Sequence, residues 1–298
     1  MMPKSFSAKF ALAFGLGLLA AVGVAPFAAA TVAWMGFRFP MPRIFDRVVM
    51  VTLGLVLILF ARRLRLLELL RRGFAHPGAG QRGSLRGLCV SLAVMTLLLI
   101  TAIALSGAAR PGRSVIRIFP WSRMPNYILS ALVIAVIEEG FFRAFLLAGM
   151  ISDFGRTTAV LASSAIYALA HLVRSPARFY VTGFDPMAGL HTLALSFNQI
   201  ADPGSALPTF VGLLLLGIVL AEAFLITGTV WFSLGLHAGL VLGSKVWPKI
   251  LVARADVPGW LAGWGHQPVI SGAAAWAAAI LILMWLRPLA GIDRRKAV

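Results

Sequence analysis

The stretch IEEGFFRAF, Ile137–Phe145, sets two adjacent carboxylates and a guanidinium inside an otherwise apolar run. A carboxylate at mid-membrane depth costs roughly 2.5–3.5 kcal/mol on insertion scales, so such a group is expected to face a protein interior or a wet cavity and to have a function. Glu139 and Arg143 are four residues apart with the acid on the N-terminal side, the favourable order for an ion pair on one helix face. Glu138 points about 100° away round the helix. It has no partner close in sequence, so its partner must come from another helix. YALAH places Tyr167 and His171 one turn apart on one face. VWFSLGLHAGLVLG carries His237 between Gly235 and Gly239, small residues that let helix backbones approach closely. If the runs holding Glu138 and His171 are antiparallel and turn near Asp153, the two groups lie at depths that agree to roughly 5 Å. His237, counted from Gly228, lies shallower than Glu138. A single histidine in an apolar helix is most often a structural residue bonded across helices. Two of them on separate helices, with a glutamate pair on a third, describe a cluster that could polarise a water or hold a metal with an open position.

The elements that must carry these groups are membrane helices. Of 298 residues, 60% are hydrophobic and 12% charged, against about half and about a quarter in a soluble domain. The excess falls in runs of about 20 residues, the length that crosses a hydrocarbon layer roughly 30 Å thick. The expected fold class is therefore all-α, a polytopic membrane protein with about eight transmembrane helices. They are expected near Lys9–Met35 (bent at Pro26), Val48–Phe60 (continuing as an amphipathic helix through Arg72), Gly87–Gly107, Asn126–Met150, Thr157–Leu172, Pro208–Thr227, Thr229–Val246 and Val269–Leu286. The 174–206 linker is long enough for a surface or re-entrant helix. Three parts follow: 1–125, N-terminal helices and basic loops; 126–247, the core with the candidate site; and 248–298, a C-terminal loop and final helix. The basic, apolar and Ala-rich N-terminus has the ingredients of a signal peptide. Its apolar run continues through Met35, which favours an uncleaved first span.

The net charge of +17 would suggest nucleic acid in a soluble protein. Here the basic residues cluster between apolar spans, as in ARRLRLLELLRRG, where they meet anionic headgroups and set topology. No nucleic-acid partner is expected. Lys4, Lys9, the Arg-rich loop after the second span, Arg294, Arg295 and Lys296 fall on one side and Arg110, Arg113, Arg117, Arg123, Lys245, Lys249 and Arg254 on the other. The weight of the first helix favours cytoplasmic termini in a multi-pass protein of the cell (inner) membrane. The single cysteine, Cys89, forms no internal disulfide. Trp231, Trp247, Trp260 and Trp264 fit interfacial belts.

EEGFFR resembles the EExxxR motif of the CPBP family (CAAX-protease and bacteriocin-processing membrane proteins, also called Abi). YALAH resembles its FxxxH motif, with Tyr167 for Phe, and GLLLLGIVLAEAFLITGTVWFSLGLHAGLV resembles its last two core helices. The resemblance covers roughly Asn126 to Val246. It implies an intramembrane endopeptidase acting on a membrane-associated protein or peptide. Glu138 would be the general base, helped by His171; His237 would stabilise the oxyanion; Glu139, Arg143 and Tyr167 would organise the site. No cofactor is expected. Zinc, held by Glu138, His171 and His237, is the alternative, although an HExxH helix is missing from the sequence. One position departs from the pattern: Val241 stands where the family has an oxyanion-binding Asn. Ser233, Ser244 and Asn198 are the candidate substitute donors. Two other readings stand beside the protease. A catalytically weak or inactive adaptor or immunity protein would draw on Val241. An ion-coupled transporter would use Glu138 and Glu222, but lacks the paired broken helices and internal repeats expected there. Glu222 is expected to pair with a basic group across the bundle, and the loop residue His191 to be solvated.

Overall fold

The computed structural model describes residues 5–75, 82–94, 97, 121–173, 175, 178–250 and 268–294. All regular elements among them are helical. The first, α1 (Phe6–Trp34), starts at Ser5, whose side chain caps the Ala8 amide. Apart from Pro26, its buried positions are small and recur every fourth residue: Ala13, Gly17, Ala21, Ala25 and Ala29. Its large apolar side chains, among them Leu19 and Phe27, are exposed. The same inversion holds in α5 (Met124–Glu138), where Ala131 and Ala135 face inward and Leu129, Val133 and Ile137 outward. Small residues inside and large apolar residues outside is the arrangement of helices whose solvent is lipid. Phe6–Trp34 and Ala206–Thr227 are long and apolar enough to cross a membrane; Val230–Val246 and Ala273–Leu286 are shorter apolar helices.

The second helix, α2 (Met41–Leu59), returns along α1, with Leu53 against Gly17. The chain then departs from the expected continuous helix. Residues 60–65 form turns, ending at Arg65 in the left-handed conformation (φ 52°), before α3 (Leu66–Gly73) sets off in a new direction. Packing explains the break. Leu70 and Phe74 close over Gly140, and Gly73 lies against Ala144, so α3 must turn to cover the helix that carries the EEGFFR motif. On its open side, hydrogen bonds and charge from Arg65, reinforced by Arg72, hold the Glu68 carboxyl below the usual carboxylate range. The expected third span is described over 87–94, within α4 (82–94), and at 97. Its remainder lies outside the described residues, as do Arg110, Arg113, Arg117, Trp260 and Trp264.

The motif run is one continuous rod of mixed pitch. α5 passes at Glu138 into a nine-residue π-helical segment, Glu139–Leu147, and then into α6 (Ala148–Leu172). The course of α6 breaks at Gly155 (φ 73°, ψ 172°), two residues beyond the Asp153 expected to mark the turn. From Glu138 to Gly155 is about 25 Å of helix, and from Gly155 to His171 about 24 Å, so the return leg brings the imidazole level with the carboxylate. Asp153 accepts hydrogen bonds from the amides of Phe6 (3.3 Å) and Ser7 (2.6 Å). It thereby satisfies amides that the first turn of α1 leaves unpaired and ties that helix to the turn. The Gly155 backbone lies in a region essentially reserved for glycine. Gly155→Ala should therefore cost about 1–3 kcal/mol, read as a lowered Tm of the purified protein in detergent.

The linker after α6 carries the expected short helix, α7 (Ala188–Ser196), packed on α1 through Gly189 and the Val22 backbone. α8 (Pro203–Thr227) packs along α6 and ends at Gly228. α9 (Val230–Ile250) follows directly, and a single turn, Pro268–Ser271, leads into α10 (Ala273–Arg294), which packs on α8. The close helix approach expected at Gly235 and Gly239 is made with α4: a Cβ at either would collide with Ser84 or Ser91. The Ser84 hydroxyl also donates to the Trp231 carbonyl (2.8 Å).

Candidate active site

Three helices deliver four titratable side chains to one point. Glu138 and Glu139 straddle the α-to-π junction, His171 lies at the end of α6, and His237 sits in the third turn of α9. His171 Nε2 is 3.6 Å and His237 Nε2 3.7 Å from Glu138 Oε2. These separations exceed a direct hydrogen bond and are of the order that one bridging water spans. The Glu138 and His171 side chains are 23% and 30% exposed, whereas Glu139, Arg143 and His237 are buried. The cluster therefore has an open edge and a dry back wall.

That wall is an ionic chain. His237 Nδ1 donates to Glu139 Oε1 (2.8 Å), which also faces Arg143 Nη1 (3.4 Å). Arg143 Nη2 donates to the Gly217 carbonyl on α8 (3.4 Å), and its guanidinium lies over the Tyr167 ring (4.7 Å). The Tyr167 ring in turn packs at 4.5 Å from the His171 ring and 6.2 Å from that of His237. The expected Glu139–Arg143 pair is thus present. Its second partner, His237, and the carbonyl that takes up the guanidinium were not legible, because nothing in sequence links α5, α8 and α9. Within 139–147 the pitch is π, a geometry that recurs at functional sites. It adds a residue per turn, and the carboxylate steps between neighbours differ from the 100° of a uniform α-helix.

The hydrogen bonds also fix ring protonation. His171 Nδ1 lies 2.9 Å from the Tyr167 carbonyl, which only accepts, so Nδ1 carries the proton. His237 Nδ1 likewise gives its proton to Glu139. When neutral, both rings therefore turn an Nε2 lone pair towards Glu138. Three acceptors facing one another need a donor or a cation between them, such as a proton held by the cluster or a water. Among the described residues, no group of three His, Cys, Asp or Glu side chains is arranged to hold a metal ion.

Ser233 lies beside Glu139 at the back of the cluster; the other candidates lie apart from this point. Glu222 pairs with Arg156 on α6, the cross-bundle partner expected for it. Ser233 and Ser244 reach the Val230 and Val241 carbonyls of their own helix (3.0 and 2.8 Å). Asn198 is exposed beyond the end of α7. His191 is exposed with its ring 5.2 Å from that of Phe179. Val241 stands one turn after His237 on α9.

Residues 119–242 match the family model described as Type II CAAX prenyl endopeptidase Rce1-like. The match holds all three motifs and agrees with the CPBP resemblance they carry. No curated protein and no solved structure matches the chain.

Proposed function

We propose, from the premise that residues 119–242 form an Rce1-like domain of the CPBP family, that this protein is an intramembrane endopeptidase that hydrolyses a peptide bond in a membrane-associated protein. The observation that carries the reading is the approach of two imidazole Nε2 atoms to one partly open carboxylate, at 3.6 and 3.7 Å. A water held among these groups gives a proton to Glu138 as its oxygen attacks the scissile carbonyl carbon. His171, fixed by the Tyr167 carbonyl, takes the second contact to that water. The tetrahedral intermediate places negative charge on the former carbonyl oxygen. His237, held by Glu139 through Nδ1, presents its Nε2 side to that oxygen as the oxyanion donor. When the C–N bond breaks, the leaving amine takes the proton held by Glu138. No step is routed through a metal. Arg143 pairs with Glu139 and holds it in place, and Tyr167 packs both rings.

The protein is read as multi-pass, with about eight spans in the inner membrane, so that the cavity opens within reach of a substrate held at the bilayer. Purified protein in detergent, given membrane-anchored peptides with and without a prenylated C-terminus, should release fragments identifiable by mass spectrometry. Absence of cleavage across such a panel would favour the adaptor reading, which Val241 supports. That position supplies its own test. An apolar side chain one turn after His237 offers the oxyanion nothing, and a missing donor of this kind costs about 100- to 1000-fold in rate. Val241→Asn should therefore raise kcat by at least about tenfold with little change in KM. An unchanged or lower rate would mean that Val241 does not face the reacting carbonyl.

A further inference from the structure

We infer that the groove between α1 and α2 is a binding site for an anionic phospholipid, with the phosphate on Arg43 and Arg47 and an acyl chain along the cleft. The groove is a cavity of about 460 Å³ lined on its walls by Val24, Val32, Val48 and Val51, with the two arginines among its lining residues. Arg43 and Arg47 lie one turn apart near the start of α2 and so share a face. Arg43 lies over the Phe39 ring at 5.0 Å, and Arg47 Nη1 approaches the Met50 sulfur at 3.4 Å.

The depth of these groups fits a lipid. The arginines sit at the end of the helix pair where α1 stops, beside exposed Trp34, Phe37 and Phe39, the residue types found at headgroup level. From there the apolar walls run down towards Thr52, past exposed Met50, Val51 and Leu55. Charge at the headgroup end and hydrocarbon below is complementary to a phosphodiester with its chain. Basic pockets between membrane helices bind anionic headgroups in this way. A zwitterionic lipid would meet the same walls, but its ammonium would oppose the arginines.

The test uses full-length protein washed of lipid in detergent. Phosphatidylglycerol and phosphatidylcholine of identical chains are added back, and bound lipid is counted by native mass spectrometry. Wild type should retain phosphatidylglycerol in preference. Each arginine should contribute about 5-fold, so the Arg43→Ala/Arg47→Ala protein should lose roughly 30-fold in affinity. Should the double variant not fold, Arg43→Gln and Arg47→Gln singly should each lose about 5-fold. Ala28→Trp, which fills the groove and leaves both arginines, should also lose the lipid, whereas Arg62→Ala/Arg63→Ala should bind as wild type. Equal retention of the two lipids, or full retention by the arginine variants, would overturn the assignment. So would competition by soluble glycerol phosphate as strong as by the whole lipid, or a dimer held together by Arg43 and Arg47.

Discussion

Glu138→Gln should lower kcat/KM for a cleaved substrate by about 100- to 10,000-fold, the range that a positioned general base supplies, while the protein still inserts and keeps its Tm. The geometry separates the two effects. Glu138 Oε2 makes no direct hydrogen bond among the described residues, and its neighbours are imidazole nitrogens at 3.6 and 3.7 Å rather than a guanidinium. Glutamine fills the same volume and keeps the carbonyl oxygen, so packing is retained. It lacks the basicity to take a proton from water. His171→Ala should fall in the same direction by removing the second contact to that water. The comparison is made on protein shown by size exclusion and circular dichroism to be folded. Cleavage by the glutamine variant at the wild-type rate would end the proposal. An ion flux in proteoliposomes that survives the loss of His171 would point to transport instead.

Arg143→Met should destabilise the protein by about 3–5 kcal/mol, the cost of leaving one member of a buried ion pair without its partner. Methionine occupies much of the arginine's volume, so the loss is chiefly electrostatic. Glu139 is 0% and Arg143 2% exposed, and water cannot replace the missing cation. The control is Glu139→Gln/Arg143→Met. With both charges gone the interior holds no unmatched ion, and a large part of the stability should return. Thermal unfolding of the two variants in the same detergent checks this. A double variant no more stable than Arg143→Met would show that the pair is not what the fold depends on. Activity should fall in both, since Glu139 also holds His237 Nδ1 at 2.8 Å.

The parts of the site that were legible in the sequence are those governed by spacing along a single hairpin. The 17 residues from Glu138 to Gly155 and the 16 from there to His171 nearly cancel, so their meeting could be read from helical rise alone. Counting the rise from Gly228 sets His237 too shallow, because such a count takes the helices as level and upright. Contact with Glu138 and Glu139 depends instead on how α9 lies against its neighbours. The π pitch of 139–147 left no trace in the residue pattern. Buried on nearly every face, this segment shows no stripe from which a period can be measured. The turn at 60–65 was hidden for another reason. ARRLRLLELLRRG has good helical periodicity throughout, and the break is imposed by the surface of the motif helix on which Leu70, Gly73 and Phe74 must settle. The cross-bundle partner of Glu222 could be anticipated as a cation, but its identity, Arg156, required the packing of α6 on α8.

The hydrogen bonds from Phe6 and Ser7 to Asp153 couple the very start of the described chain to the hairpin bend on which the reactive geometry depends. Residues 119–242 consequently do not own their architecture outright: one hinge of it is bolted to a helix far outside that segment. Processing near Ser5, or a bulky fusion placed there, would slacken the bend. It would spoil the alignment of acid and imidazole without touching either, whereas the same addition at the opposite end of the polypeptide leaves the bolt in place.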